Sequence, residues 1–296
     1  MRAMQASGQG GSDLLGQAAA RLREIGKPAE EIAWPLLLAQ GDDDAGAKLV
    51  RELKAEAGLS GDGDAVERVL LRECIARALP KTAALPVEAS VRTMLEKDLS
   101  QFVTSRTSLE AGTYLFNRAA KMATLRRFPA GPMEWEVSGI PRSWFLQAGL
   151  SGGVRLAAFV AAKLGGLKPC MFLHVGPHPR NRSLVLEREM FRTYYRLAKS
   201  LELQPELRAI LACAWFHDPA AVRDHPHLEP VSRPYLQHGG LITPLGPAPP
   251  DSGVLEGNAQ RRSDYLAGKV QYRMGFAIWP REAAVRWATD HPELAG

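Results

Sequence analysis

Leu207–Phe216 reads LRAILACAWF, an apolar run set between Gln204-Pro205 and His217-Asp218-Pro219. In a run this short, periodicity cannot separate a buried strand from a buried helix. The two outcomes lead to different proteins. As a strand, it closes a strand–helix–strand unit with the apolar run before it and points to an α/β domain. As a helix, it carries His217 and Asp218 on a helical scaffold suited to a metal.

Working upstream, KPCMFLHVG (Lys168–Gly176) is a second short apolar run, bounded by Pro and Gly, and Met171–Val175 reads as a buried strand. HVGPHPRNRSLVLEREM follows, from His174 to Met190. It changes from an apolar run to a loop at Gly176–Ser183 and then to a helix. Leu186, Met190, Tyr194, Leu197 and Leu201 fall on one face at helical spacing. Asn181 or Ser183 is the expected N-cap. A helix start after a strand presents free N–H groups and the positive end of the helix dipole. Arg180 and Arg182 add two full charges. Together these features suit a phosphate or a carboxylate.

Further out, the Gly/Ser/Gln-rich residues 1–12 read as a disordered tail, and residues 13–127 read as helical almost throughout. Asp64 with Glu67 fits a capping box, and Val91, Met94, Leu95, Leu99 and Phe102 form a helical stripe. Near Phe128 the texture changes. A short strand is expected over Met133–Val137, then a helix broken near Ser151–Gly153 that resumes as VRLAAFVAAKL. Residues 217–260 read as loop-rich. Val270, Tyr272, Met274, Phe276 and Ile278 then alternate with other residues, as in a strand, and Pro280 opens the closing helix. The expected architecture is an α/β domain over 128–296, a mixed sheet with flanking helices, preceded by an all-helical N-terminal region.

Composition narrows the function classes. The 46% apolar content is that of a globular chain, and a net charge of +5 permits anionic ligands without demanding them. Neither a Lys/Arg run interleaved with aromatics nor an apolar stretch long enough to span a bilayer occurs, so neither a nucleic acid nor a membrane is expected as partner. The N-terminus lacks the apolar core of a secretion signal, and Cys74, Cys170 and Cys213 include no CxxC pair. These features fit a cytoplasmic protein with reduced thiols.

Two further constellations carry polar chemistry. AWFHDPAAVRDHPHLEP holds His217, Asp218, His225 and His227, and His174 and His178 lie upstream. Neutral imidazole and carboxylate are ordinary ligands for a divalent metal. If LRAILACAWFHD is a helix, this stretch resembles the His-Asp core of HD-domain phosphohydrolases, which implies a metal-dependent hydrolase. NAQRRSDYLAGKVQYR (Asn258–Arg273) places Arg262, Tyr265, Tyr272 and Arg273 together as candidate contacts for an acidic substrate.

With a strand at 207–216, PHPRNRSLV in its strand–loop–helix setting resembles the donor-binding loop of GNAT acyltransferases, over about the last hundred residues from Lys168. Ser183 and Val185 stand where that family has glycine. The resemblance implies an acyltransferase that passes an acyl group from coenzyme A, or from a carrier-protein thioester, to an amine or hydroxyl of a small-molecule substrate. Arg180, Asn181, Arg182 and Ser183 would hold the donor phosphate, and His178 or His217, with Asp218 beside it, would act as base. No metal is expected on this reading. An acidic carrier protein is the macromolecular partner it would accept. The remaining alternative is a non-catalytic protein that docks an acidic partner on its arginines.

Overall fold

The computed structural model describes residues 71, 75–76, 78–104, 114–176, 186–248 and 259–295. The chain divides into two units. One runs through Leu85 and resumes over Arg92–Phe128, and the other comprises Pro86–Val91 and Pro129–Gly296. The expectations for residues 1–70, the tail and the Asp64–Glu67 capping box among them, lie outside the described residues.

In the first unit a 3-10 turn at Leu79–Ala84 precedes α1 (Ala89–Thr104), and α2 (Tyr114–Ala123) follows. Leu95 and Leu99 of α1, on the expected stripe, are buried, as are Phe116, Ala119 and Met122 of α2. Arg118 Nη2 donates to Asp98 Oδ2 at 2.6 Å, with both side chains buried.

The second unit is α/β. After β1 (Arg127–Pro129), at the boundary of the units, its strands are β2 (Met133–Ser138), β3 (Cys170–Val175), β4 (Ala209–Ala214), β5 (Leu241–Pro247) and β6 (Arg273–Pro280), in the sheet order β1-β2-β3-β4-β6-β5. The pairing is antiparallel for β2–β3, β4–β6 and β5–β6, and parallel for β3–β4. The sheet is therefore mixed.

Within LRAILACAWF, Ala209–Ala214 forms a strand, with Ala209, Ile210, Leu211 and Ala212 all buried, and Trp215 opens a 3-10 turn. Both its faces are covered, so the run is continuously apolar and does not alternate. The helix required by the phosphohydrolase resemblance is absent at this position, and that alternative loses its scaffold.

On one face lie α3 (Ser143–Gln147) and α4 (Gly149–Lys163), which pack with Cys170, Leu211, Phe276 and Ile278. α4 runs unbroken through Ser151–Gly153, where a break was expected. Gly153 serves close packing instead: a Cβ there would lie 2.3 Å from the Phe145 carbonyl oxygen. The real break comes at Gly149, whose φ of +72 suits glycine.

The other face carries α5 (Glu187–Glu202), α7 (Glu229–Gln237) and α9 (Arg281–Asp290). Met190, Tyr194, Leu197 and Leu201 of α5 are fully buried, as their spacing requires, whereas Leu186 is the exposed N-cap. The helix therefore starts later than expected, with Leu186 as its N-cap, and Asn181 and Ser183 lie outside the described residues. Its first turn holds Glu187 and Glu189 instead, which favour the positive end of the dipole.

The described part of residues 217–260, which excludes 249–258, is more regular than it reads. α6 (Pro219–Asp224) is capped by Asp218, whose side chain accepts from Ala220 N at 3.3 Å. Pro219 and Pro230 occupy first turns, where a missing N–H costs nothing. β5 tolerates Pro244 and Pro247 because it is an edge strand, irregular between those two residues. α8 (Ala259–Leu266) precedes β6. Among the described residues no helix is long and apolar enough to cross a membrane.

Candidate active site at the ends of the parallel strands

β3 and β4 pair at Met171–Ile210, Phe172–Leu211 and Leu173–Ala212, and the ladder then stops. Both strands continue. His174 and Val175 stay paired with β2, and Cys213 and Ala214 stay paired with β6. The sheet therefore parts between the carboxyl ends of its parallel strands. Crevices at such ends are where open α/β sheets bind ligands. The residues that follow β3 lead from Gly176 into segment 177–185 and on to α5. Gly176 is needed at that exit, because a Cβ would meet the Pro132 carbonyl oxygen at 2.8 Å.

His178, Arg180, Asn181, Arg182 and Ser183 lie outside the described residues. What the structure fixes is their anchorage, between the end of β3 at the gap and the start of α5.

On the α3/α4 face beside the gap, His174 Nε2 lies 3.0 Å from Glu136 Oε1, without hydrogen-bond alignment, and both side chains are partly exposed. The His174 ring packs on Phe172, which in turn meets Trp144. Cys213 lies on the same side of β4, one register step beyond Leu211. Burial raises its thiol to about 12, so no thiolate is available there. Sequence reasoning took His174 only as a metal ligand and missed Glu136. Alternating pattern in MEWEVS could have placed Glu134 and Glu136 on one face, but nothing in it says that β2 pairs with β3.

His217 sits on the opposite face, in the 3-10 turn Trp215–His217 after β4. It is 1% exposed. Ser232 Oγ donates to the Phe216 carbonyl at 3.4 Å and lies 3.0 Å from His217 Nδ1. A hydroxyl has one proton, so satisfying both contacts assigns a proton to Nδ1, which donates to Ser232 Oγ. Nε2 is then an acceptor, and it has no partner among the described residues. Burial lowers the imidazole pKa to about 3. His217 is thus neutral throughout the physiological range and a weak proton acceptor. Asp218 does not orient it, being the α6 cap. A cavity of about 300 Å3 adjoins His217, lined also by Pro219, Val222, Ser232, Leu236 and Ile242.

The predicted substrate group divides. Tyr265 and Tyr272 stack at 6.5 Å, Tyr272 meets Trp215 edge-on, and the Arg261 guanidinium lies 4.9 Å from the Trp215 ring centroid. Arg262 is exposed. Arg273 donates from Nε to the Leu245 carbonyl at 3.0 Å. With Arg155, Ser151 and Thr243 it lines a second cavity of about 350 Å3. Thr243 is buried there, and its hydroxyl has no partner among the described residues.

The histidines do not converge. His225 and His227 approach each other at 5.9 Å, but His174 and His217 lie on opposite sheet faces. Among the described residues, no three His, Cys, Asp or Glu side chains could hold a metal together.

No protein-family model and no curated protein matches the chain. Among solved structures it is similar to an acyltransferase in complex with decanoyl-CoA, at 16% identity and a TM-score of 0.40, over 88% of this chain and 87% of that one. It is likewise similar to an acyltransferase in complex with CoA and 10C-teicoplanin, at 13% identity and a TM-score of 0.39, over 88% and 86%. A third, in complex with decanoyl-CoA and teicoplanin, shows 14% identity and a TM-score of 0.38 over 74% and 68%.

Proposed function

We propose that the protein is an acyltransferase that takes its acyl group from a coenzyme A thioester bound at the gap between β3 and β4. The observation that supports this reading is the parallel pair whose ladder ends at Leu173–Ala212 while both strands run on. The pantetheine arm of coenzyme A is an extended chain with two amides. Strand edges bind such chains through main-chain hydrogen bonds. Arg180, Asn181, Arg182 and Ser183, anchored at one end of the gap, would meet the phosphates, for which paired arginines suit a charge-assisted contact.

In the reaction the acceptor nitrogen or oxygen attacks the thioester carbonyl. A new C–N or C–O bond forms, the C–S bond breaks, and the sulfur leaves as thiolate. The acceptor proton passes to a base and then to the thiolate. His178, in the segment after β3, keeps its place as that base, and His174 beside Glu136 is a second candidate. The low basicity of His217 removes it from this role. The cavity of Arg155 and Arg273 suits the acidic part of an acceptor.

A thermal-shift screen with coenzyme A, its acyl derivatives, nucleotides and divalent metals tests the reading. Stabilisation by coenzyme A derivatives that the Arg180→Ala/Arg182→Ala variant loses would support it. No stabilisation at millimolar concentration would remove it.

A further inference from the structure

Two positive charges line the cavity of Arg155 and Arg273, and no side chain of its lining offsets them. From this arrangement we infer that the cavity binds a phosphate monoester and, resting on the reading proposed above, that the acyl acceptor carries that phosphate.

Each guanidinium is tied to β5 by one bond. Arg155 Nη2 donates to the Ile242 carbonyl at 3.3 Å, and Arg273 Nε donates to the Leu245 carbonyl at 3.0 Å. A guanidinium has five N–H groups, so each keeps donors for a ligand. Thr243 and Pro244 lie between the two carbonyls in the strand and line the same cavity. The arginines thus reach one concavity from two elements, α4 and β6. Both residues are exposed, and so is Ser151 beside them.

The three elements that supply this lining, α4, β5 and β6, contain no Asp or Glu. Neither arginine has a carboxylate partner among the described residues. A concave surface lined by one sign of charge focuses its field on the opposite ion. A carboxylate is satisfied by one planar guanidinium in a bidentate pair. Two guanidiniums and a hydroxyl match a phosphate monoester instead, with its charge of about −1.5 to −2 and three acceptor oxygens.

Position links the cavity to the reaction. Arg273 opens β6, and Gly275, two residues on, pairs with Ala214 at the end of β4. The cavity therefore lies at the end of the sheet where β3 and β4 part, on the α4 face. From β4 across β6 to β5 is two strand spacings, about 10 Å. A phosphate held there leaves about that length for the rest of the acceptor to reach the thioester.

The test follows propyl phosphate by phosphorus-31 NMR as the full chain, free of coenzyme A, is added, with butyrate and succinate as competitors. Propyl phosphate should bind about tenfold tighter than butyrate, and its second ionisation should fall below the usual value of about 6 when bound. Arg155→Gln and Arg273→Gln should each weaken binding about tenfold. Lys163→Gln, which removes a charge of α4 outside the cavity, should not. Coenzyme A at saturation should leave the probe in place. No binding of propyl phosphate, carboxylates that bind as tightly, unchanged affinity in either arginine variant, an equal loss in Lys163→Gln, or displacement by coenzyme A would each overturn the inference. Failure of coenzyme A to bind while the arginines still hold propyl phosphate would remove the donor reading and leave the phosphate site standing.

Discussion

Gly275 and His217 meet main chain to main chain. A Cβ built on Gly275 would lie 2.3 Å from the His217 carbonyl carbon and 2.5 Å from the Asp218 nitrogen. Glycine is thus the only residue of β6 that lets the turn after β4 fold down onto the sheet and place His217 beside its cavity. Gly275→Ala should force the turn outward at a cost of about 1–3 kcal/mol, the usual range for overpacking against backbone. Urea unfolding measures it, and an unchanged midpoint would mean that the turn relaxes freely.

Burying a neutral imidazole ties stability to pH. The folded pKa of His217 is lowered to about 3 from 6.5 in a free chain. Between those values the unfolded chain binds one more proton, so this group's contribution is complete above pH 6.5 and falls as pH drops toward 3. The slope approaches about 1.4 kcal/mol per pH unit. Chemical denaturation at pH 6.5, 5.5 and 4.5 should show this slope in the wild type and a shallower one, by one proton, in His217→Gln. Parallel profiles would refute the assignment.

Tyr194 Oη donates to the Val231 carbonyl at 2.5 Å, a buried bond that joins α5 to α7. Tyr194→Phe keeps the ring contacts with Tyr235 and Trp279 but removes that bond. A loss of about 0.5–1.5 kcal/mol is expected by urea denaturation.

Arg155 and Arg273 share a cavity with the Thr243 hydroxyl, which has no partner among the described residues. Succinate should raise the melting temperature of the wild type, and Arg155→Ala and Arg273→Ala should each reduce that rise. A rise that survives in both variants would place the anion elsewhere.

The sequence made the strands at Cys170–Val175 and Arg273–Pro280 readable, because bounded apolar runs and alternation leave few other choices. The buried face of α5 was readable for the same reason, through Met190, Tyr194, Leu197 and Leu201. β5 was not. Pro244, Gly246 and Pro247 are loop signals, and only its place at the sheet edge makes them tolerable. The start of α5 was misread at Asn181 and Ser183, where caps and charges look favourable, although the acidic first turn at Glu187 and Glu189 carried the better signal.

Less of the candidate site was legible. Tyr265 and Tyr272 stack together, but Arg273, the first residue of β6, turns to the Leu245 carbonyl and lines the second cavity. His217 was chosen for proximity to Asp218, whereas its partner is Ser232, which only tertiary packing brings near. The gap between β3 and β4 is a property of register, and no local pattern encodes it.

The central claim is that coenzyme A binds at the parting of β3 and β4, held by the arginines that follow β3. Calorimetric titration of coenzyme A into the wild type and into Arg180→Ala/Arg182→Ala tests it most directly. The account predicts saturable binding by the wild type and a loss of about a hundredfold in the double variant, the scale of charge-assisted phosphate contacts. No heat of binding to the wild type at millimolar coenzyme A, or equal affinity in the two proteins, would contradict it.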